Sequence, residues 1–176
     1  MKNLSIVLVS PEIPQNTGNI IRLCANMGAD LHLVKPLGFD LDSKKLRRAH
    51  LYYDEFASVK VWDDWDQFFI NFSGRNIFAI ETSGVRGIYN VEFQPGDVLV
   101  FGSESSGLSD KIISDIGLYN NLFLPMTEGS RSMNLANCVS ICLYEAWRSI
   151  GFTGAVTNNN KFDFASGLPS GFSEVL

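Results

Sequence analysis

Three short stretches hold the residues whose types and spacing could do chemistry. The first is Pro11-Glu12-Ile13-Pro14-Gln15-Asn16-Thr17-Gly18-Asn19, followed by Arg22. Asn16 or Thr17 can cap the helix that the next residues predict. Arg22 stands on an otherwise apolar stretch one turn into that helix. Its guanidinium suits an anionic group held near the helix start, and a solvated side chain is the plain alternative. The second stretch runs from Val98 through Phe101-Gly102-Ser103-Glu104-Ser105-Ser106-Gly107-Leu108-Ser109. Its two glycines frame a turn like a phosphate-binding loop, but Leu108 stands where such a loop needs lysine. No G-x-G-x-x-G dinucleotide fingerprint is present either. What remains is a tight loop with one carboxylate, Glu104, which suits hydroxyl or amino groups better than phosphate. A plain strand-to-helix turn capped by Ser109 is the simpler reading. The third stretch is Leu122 to Asn137. Pro125 stops a strand there, and Ser130 or Ser132 can cap the helix that follows. Asn134 and Asn137, three apart, share one face of it. Amides beside an apolar stripe are costly unless paired, whether with backbone, a partner chain or a ligand.

The elements that must position these loops follow from the apolar pattern. Runs of four to six residues recur at Leu4–Val9, Leu31–Val34, Ser58–Trp62, Asn76–Ile80, Val98–Phe101 and Asn121–Leu124. Several are continuously apolar rather than alternating, as in strands covered on both faces. Between them, Ile20, Leu23, Cys24 and Met27 keep helical spacing up to Gly28. Leu135, Cys138, Val139, Cys142, Leu143, Ala146 and Ile150 do the same up to Gly151. Strands alternating with helices predict an α/β fold, a mainly parallel sheet with helices on both faces. The three loops then fall at carboxyl ends of strands, where open α/β sheets bind ligands. Residues 1–156 read as one domain. Residues 157–176 read as a tail, frayed unless Phe162, Phe164 and Phe172 are buried.

The chain has 176 residues, 45% hydrophobic, with a net charge of −5. A wholesale basic coat for nucleic acid is excluded. The charge is uneven, however: residues 1–60 sum to +2 and the rest to −7. Lys44, Lys45, Arg47 and Arg48 form a compact basic patch, with His50, Tyr52 and Tyr53 close behind as candidates for stacking on unpaired bases. The alternative for that patch is an ordinary solvated face. No apolar run approaches the roughly 20 residues of a membrane span, and the first run is too short for a secretory signal. A cytoplasmic location is the default. Cys24, Cys138 and Cys142 form no CxxC pair and have no nearby histidine. They read as buried thiols, and no metal site is expected.

Taken together, Pro11–Arg22, Phe101–Leu108 and Leu124–Asn137 resemble the SPOUT class of RNA methyltransferases, nearest the TrmL (YibK) type of tRNA ribose 2′-O-methyltransferase. Leu46-Arg47-Arg48-Ala49 and Tyr144-Glu145-Ala146-Trp147-Arg148 resemble it too, and the likeness covers about residues 4–156. The resemblance implies an α/β fold with a C-terminal trefoil knot. It implies S-adenosylmethionine bound against Ile80, Gly102, Leu124 and Ser132, largely through backbone, with Glu104, Met126 and Asn134 in the same site. S-adenosylhomocysteine would be the product. It implies a homodimer with Asn16 and Arg22 near the partner's cofactor, and methylation of the wobble pyrimidine in the anticodon stem-loop of tRNA, in leucine isoacceptors for the bacterial type. On this reading Arg22, Asn16 and Ser132 are the catalytic candidates, and Lys44, Lys45, Arg47 and Arg48 contact RNA. Members of the family usually have Pro-Glu-Thr-Arg between the two loop glycines. Here Ser103-Glu104-Ser105-Ser106 keeps the acid and lacks the base. That departure leaves an alternative: a cofactor-binding protein of the same class that methylates another RNA site, or binds RNA without transfer. A small-molecule enzyme using Glu104 as acid or base is the rival from another class.

Overall fold

The computed structural model describes residues 4–41, 59–157, 160–163 and 168–169. The elements in chain order are β1 (Ser5–Val9), α1 (Pro14–Met27), β2 (Asp30–Val34), β3 (Val59–Trp62), α2 (Trp65–Asn71), β4 (Ile77–Ile80), β5 (Arg86–Gly87), β6 (Val98–Phe101), α3 (Asp110–Ile116), β7 (Asn121–Phe123) and α4 (Leu135–Ser149). Three short strands, β8 (Val156–Thr157), β9 (Asn160–Asp163) and β10 (Leu168–Pro169), pair antiparallel with one another.

The first seven strands form one sheet in the order β3-β2-β1-β6-β4-β7-β5. Every pairing in it is parallel. This is the architecture the continuously apolar runs predict, because a parallel sheet is buried on both faces. Alternate residues of each strand feed two separate cores. Ile6, Leu8, Leu31, Leu33, Leu99 and Phe101 face α1 and α4. Val7, Val9, Val34, Val98 and Val100 face the side of α2 and α3, with Trp65, Phe68 and Ile112.

The helix ends differ from the capping expected of them. α1 begins at Pro14, whose missing N–H costs nothing in the first turn, and no side chain caps it. Asn16 and Thr17 therefore lie inside the helix, and the amide of Asn16 serves another purpose. Gly28, in the left-handed region at φ 65°, closes the helix as its position predicts. α4 is capped by Asn134, whose Oδ1 accepts from the N–H groups of Ala136 and Asn137; neither Ser130 nor Ser132 caps it. Ser109 caps α3 as expected.

His32 on β2 is buried in an aromatic cage of Trp62, Phe68 and Phe72. Trp62 Nε1 donates to His32 Nδ1 at 3.1 Å, which leaves the proton on Nε2, and Nε2 has no partner. Burial holds this imidazole down at about 4, with Lys60 and Arg75 adding to the shift. Among the described residues no helix is long and apolar enough to cross a membrane. The basic patch Lys44, Lys45, Arg47 and Arg48 lies outside the described residues.

Candidate functional site

The loops that leave β1, β4, β6 and β7 converge beyond the carboxyl ends of those strands, around a cavity of about 470 Å³. That volume falls in the range of small-molecule sites. Ile80 ends β4 and Gly102 follows β6, so both present backbone at the strand ends. Leu124, Met126, Ser132 and Asn134 supply the wall from the third loop, and Asn16 and Glu104 the wall from the first two. All seven residues placed in the cofactor site from sequence line this one cavity.

Two close backbone approaches hold the loops here, the first of them, Gly102 against Gly107, in the cavity wall itself. A Cβ on Gly102 would sit 2.1 Å from the carbonyl carbon of Gly107, and one on Gly84 would sit 2.3 Å from that of Leu122. No side chain fits at either position. Glycine is required here for proximity rather than for a positive φ.

The three loops are tied through Asn16, which is only 6% exposed. Its Nδ2 donates to Glu104 Oε1 at 2.9 Å, and its Oδ1 accepts from Asn134 Nδ2 at 3.0 Å. Glu104 also accepts from the backbone N–H groups of Glu12 and Ile13. Glu12 returns the contact: its carboxylate accepts from Ser105 Oγ at 2.6 Å and from Ser105 N. Each of these two loops thus lends the other a carboxylate. Glu104, read from sequence as a ligand group, holds the wall of the cavity. Within loop two, Ser103 and Ser106 hydrogen-bond through their hydroxyls at 2.8 Å. Two of the three departures from the usual Pro-Glu-Thr-Arg motif, Ser103 and Ser106, therefore satisfy each other.

Of the catalytic candidates, Asn16 and Ser132 line the cavity of their own chain. Arg22 does not; it lies exposed farther along α1. Two further lining residues bear on the chemistry: Glu81 was not singled out from sequence, and Cys138 was read there as a buried thiol. Glu81 follows β4 directly, accepts from Leu108 N, and is half-buried, which raises its carboxyl above the usual range. Cys138 on α4 is only partly buried, unlike the expected buried thiol, because it borders the cavity; its hydrogen bond with Cys142 lowers the Cys138 thiol and raises that of Cys142. Glu81 could have been found by asking which polar residues directly follow a buried strand. Cys24 is a buried thiol, pushed up to about 12 by its surroundings. Among the described residues no cluster could hold a metal ion.

The model of the SpoU rRNA methylase family matches residues 3–144. The chain belongs to that family. Among relatives of this SpoU-family chain is the tRNA (cytidine(34)-2′-O)-methyltransferase of Aeromonas hydrophila, 49% identical over 153 residues that cover 87% of this chain and 98% of the relative. A structure described as giving insights into the 2-OH methylation of C/U34 on tRNA superposes with TM-score 0.78 at 39% identity, covering 85% of this chain and 97% of that one. The SpoU methyltransferase AviRb from Streptomyces viridochromogenes, solved in complex with AdoMet, shares the fold at TM-score 0.72 and 23% identity, covering 85% of this chain and 61% of that one. Membership explains why three loops so far apart in sequence meet at one cavity. It also makes this SpoU-type chain an RNA methyltransferase by family.

Proposed function

We propose that the protein is an S-adenosylmethionine-dependent tRNA ribose 2′-O-methyltransferase acting on the wobble pyrimidine, nucleotide 34. The observation that carries this reading is the cavity at the carboxyl ends of β4, β6 and β7, lined by the residues that match the family's cofactor positions. The relatives' near-complete coverage at about half identity supports the choice of substrate.

The cavity suits the cofactor on its own chemistry. Its size fits a nucleoside with an amino-acid arm. Its walls offer strand-end backbone groups and two carboxylates, and among the described residues no Lys, Arg or His lines it. A phosphate-bearing nucleotide would find no cation there, whereas a positively charged sulfonium is welcome. Ile80, Gly102 and Leu124 would hold the cofactor through backbone, with Met126 against its apolar parts. When bound, the cofactor supplies an electrophilic methyl group.

The chain's residues then position the ribose. Asn16 fixes the loops around the methyl site, and Ser132 and Asn134 shape its mouth. Arg22 holds the target phosphate from outside the cavity. Arginine's high pKa makes it a poor base, so its contribution is a share of the positioning that, over the whole site, is worth up to roughly 7–11 kcal/mol. The exposed apolar residues near α1 and α4, Ile13 at 42%, Ile141 at 37% and Tyr144 at 51%, suit a homodimer face that brings Arg22 to the partner's site. Lys44, Lys45, Arg47 and Arg48 contact the anticodon stem-loop. A trefoil knot in the C-terminal part and a cytoplasmic location complete the reading. The test is mass spectrometry of tRNA from a deletion strain beside its parent: loss of the 2′-O-methyl group at nucleotide 34 is expected, and an unchanged modification profile overturns the proposal.

A further inference from the structure

Glu81 is a carboxylate built into the cavity wall. Its Oε1 accepts from Leu108 N. Gly107 sits in the left-handed region at φ 68°, and a Cβ there would lie 2.7 Å from the same oxygen, so the backbone of loop two packs directly against the carboxylate. Thr82 N is a second donor to it. A carboxylate offers about four acceptor directions, so these contacts leave room on the cavity side. The groups facing it from the packed elements are neutral: backbone of loop two, Thr82, and Cys138 of α4. Among the described residues no Lys, Arg or His lines this cavity, and Glu104, the other carboxylate, is held by three neutral donors. Among the described residues the cavity is thus a half-buried negative site with no lining cation.

We propose that Glu81 makes the site select its ligand by charge, favouring the cationic sulfonium of S-adenosylmethionine over the neutral thioether of S-adenosylhomocysteine. This rests on the cofactor reading above. Adenine, ribose, ammonium and carboxylate are common to both molecules; the sulfonium charge is what transfer of the methyl group removes. At the effective permittivity of a part-buried site, one unit charge acting on another across several ångströms alters affinity by at least about tenfold. The substrate form is thereby held, and the spent form loses that attraction as soon as the methyl group has left.

Isothermal titration calorimetry with each molecule tests this on the wild type, Glu81→Gln and Glu81→Asp. Gln keeps an oxygen for Leu108 N and removes the charge; thermal unfolding checks that the fold is intact. The expected result is that Glu81→Gln lowers the ratio of sulfonium to thioether affinity at least about tenfold, while Glu81→Asp stays near wild type. An unchanged ratio in folded Glu81→Gln overturns the assignment. So does equal weakening of both ligands, which would place Glu81 on a group they share. If Glu81→Gln does not fold, Glu81→Asp must keep the wild-type ratio, and its loss overturns the proposal. A wild type that binds neither molecule overturns the cofactor reading itself.

Discussion

Asn134 Nδ2 donates to Asn16 Oδ1 at 3.0 Å, joining residues 118 apart in the chain. The same Asn134 caps α4 through its Oδ1, and the same Asn16 reaches Glu104. One buried amide therefore sets the mutual position of all three loops. Replacing Asn16 with Ala leaves Glu104 and Asn134 each short of a partner. A loss of about 1–3 kcal/mol in urea unfolding is expected, with weaker cofactor binding by calorimetry. Asn16→Asp should be worse for binding, because it sets a second carboxylate against Glu104.

Arg22→Ala is expected to lower methyl transfer to tRNA at least tenfold while cofactor affinity stays at the wild-type value, because Arg22 lies outside the cavity. A tritiated-methyl assay beside calorimetry reads both quantities. Turnover near wild type removes Arg22 from the reaction.

Gly102→Ala tests the close approach beneath the cofactor. The new Cβ would meet backbone, not a flexible side chain, so loop two must move. A stability loss of about 1–3 kcal/mol is expected from the overpacking, together with loss of cofactor binding in whatever protein folds.

Acid should act through His32. Its folded-state value near 4 lies below the ordinary 6.5, so the unfolded chain takes up a proton that the folded one refuses. Stability is whole above about pH 6.5 and falls between there and about pH 4. The loss at pH 5 relative to pH 7 should be about 2 kcal/mol from this residue. Urea titrations at the two pH values measure it, and His32→Leu should remove that component.

If the basic patch touches phosphate, Lys44→Ala should reduce the slope of log affinity for tRNA against log salt by nearly one unit. Filter binding over a salt series gives the slope; no change returns Lys44 to ordinary surface.

β1, β4 and β6 were legible because burial on both faces writes them as unbroken apolar runs, and the edge strand β3, with Lys60 and Val61 exposed, was legible from its alternating β-branched residues instead. The two long helices were legible from their spacing and glycine stops. β5 was not: two residues, Arg86 and Gly87, become a strand only because Leu122 and Phe123 lie beside them. α2 left a fainter trace in Trp65, Phe68 and Phe72 behind the cap Asp64. At the site, the lining residues were legible through the family motifs, but what they do was not. Glu104 looks like a ligand group in sequence. Its partners lie 88 to 92 residues away, and no local pattern announces them. Asn134 rather than a serine caps α4 for a related reason: its amide can bond the helix end and Asn16 at once, which a hydroxyl cannot reach to do.

β6 lies between β1 and β4, with Ser5 paired to Val98 and Ile77 to the same residue. Until the ribosome has delivered residue 98, the half of the sheet begun by β1 and the strand β4 have no common neighbour. Each keeps an open edge of unpaired N–H and C=O groups. The middle of the sheet thus closes late, with only the slot that β7 fills between β4 and β5 left to close after it, and it closes through contacts of long sequence separation, which form slowly. The nascent chain passes most of its synthesis with that slot empty, and the cofactor cavity, whose floor follows β6 directly, comes into being only when the slot is filled.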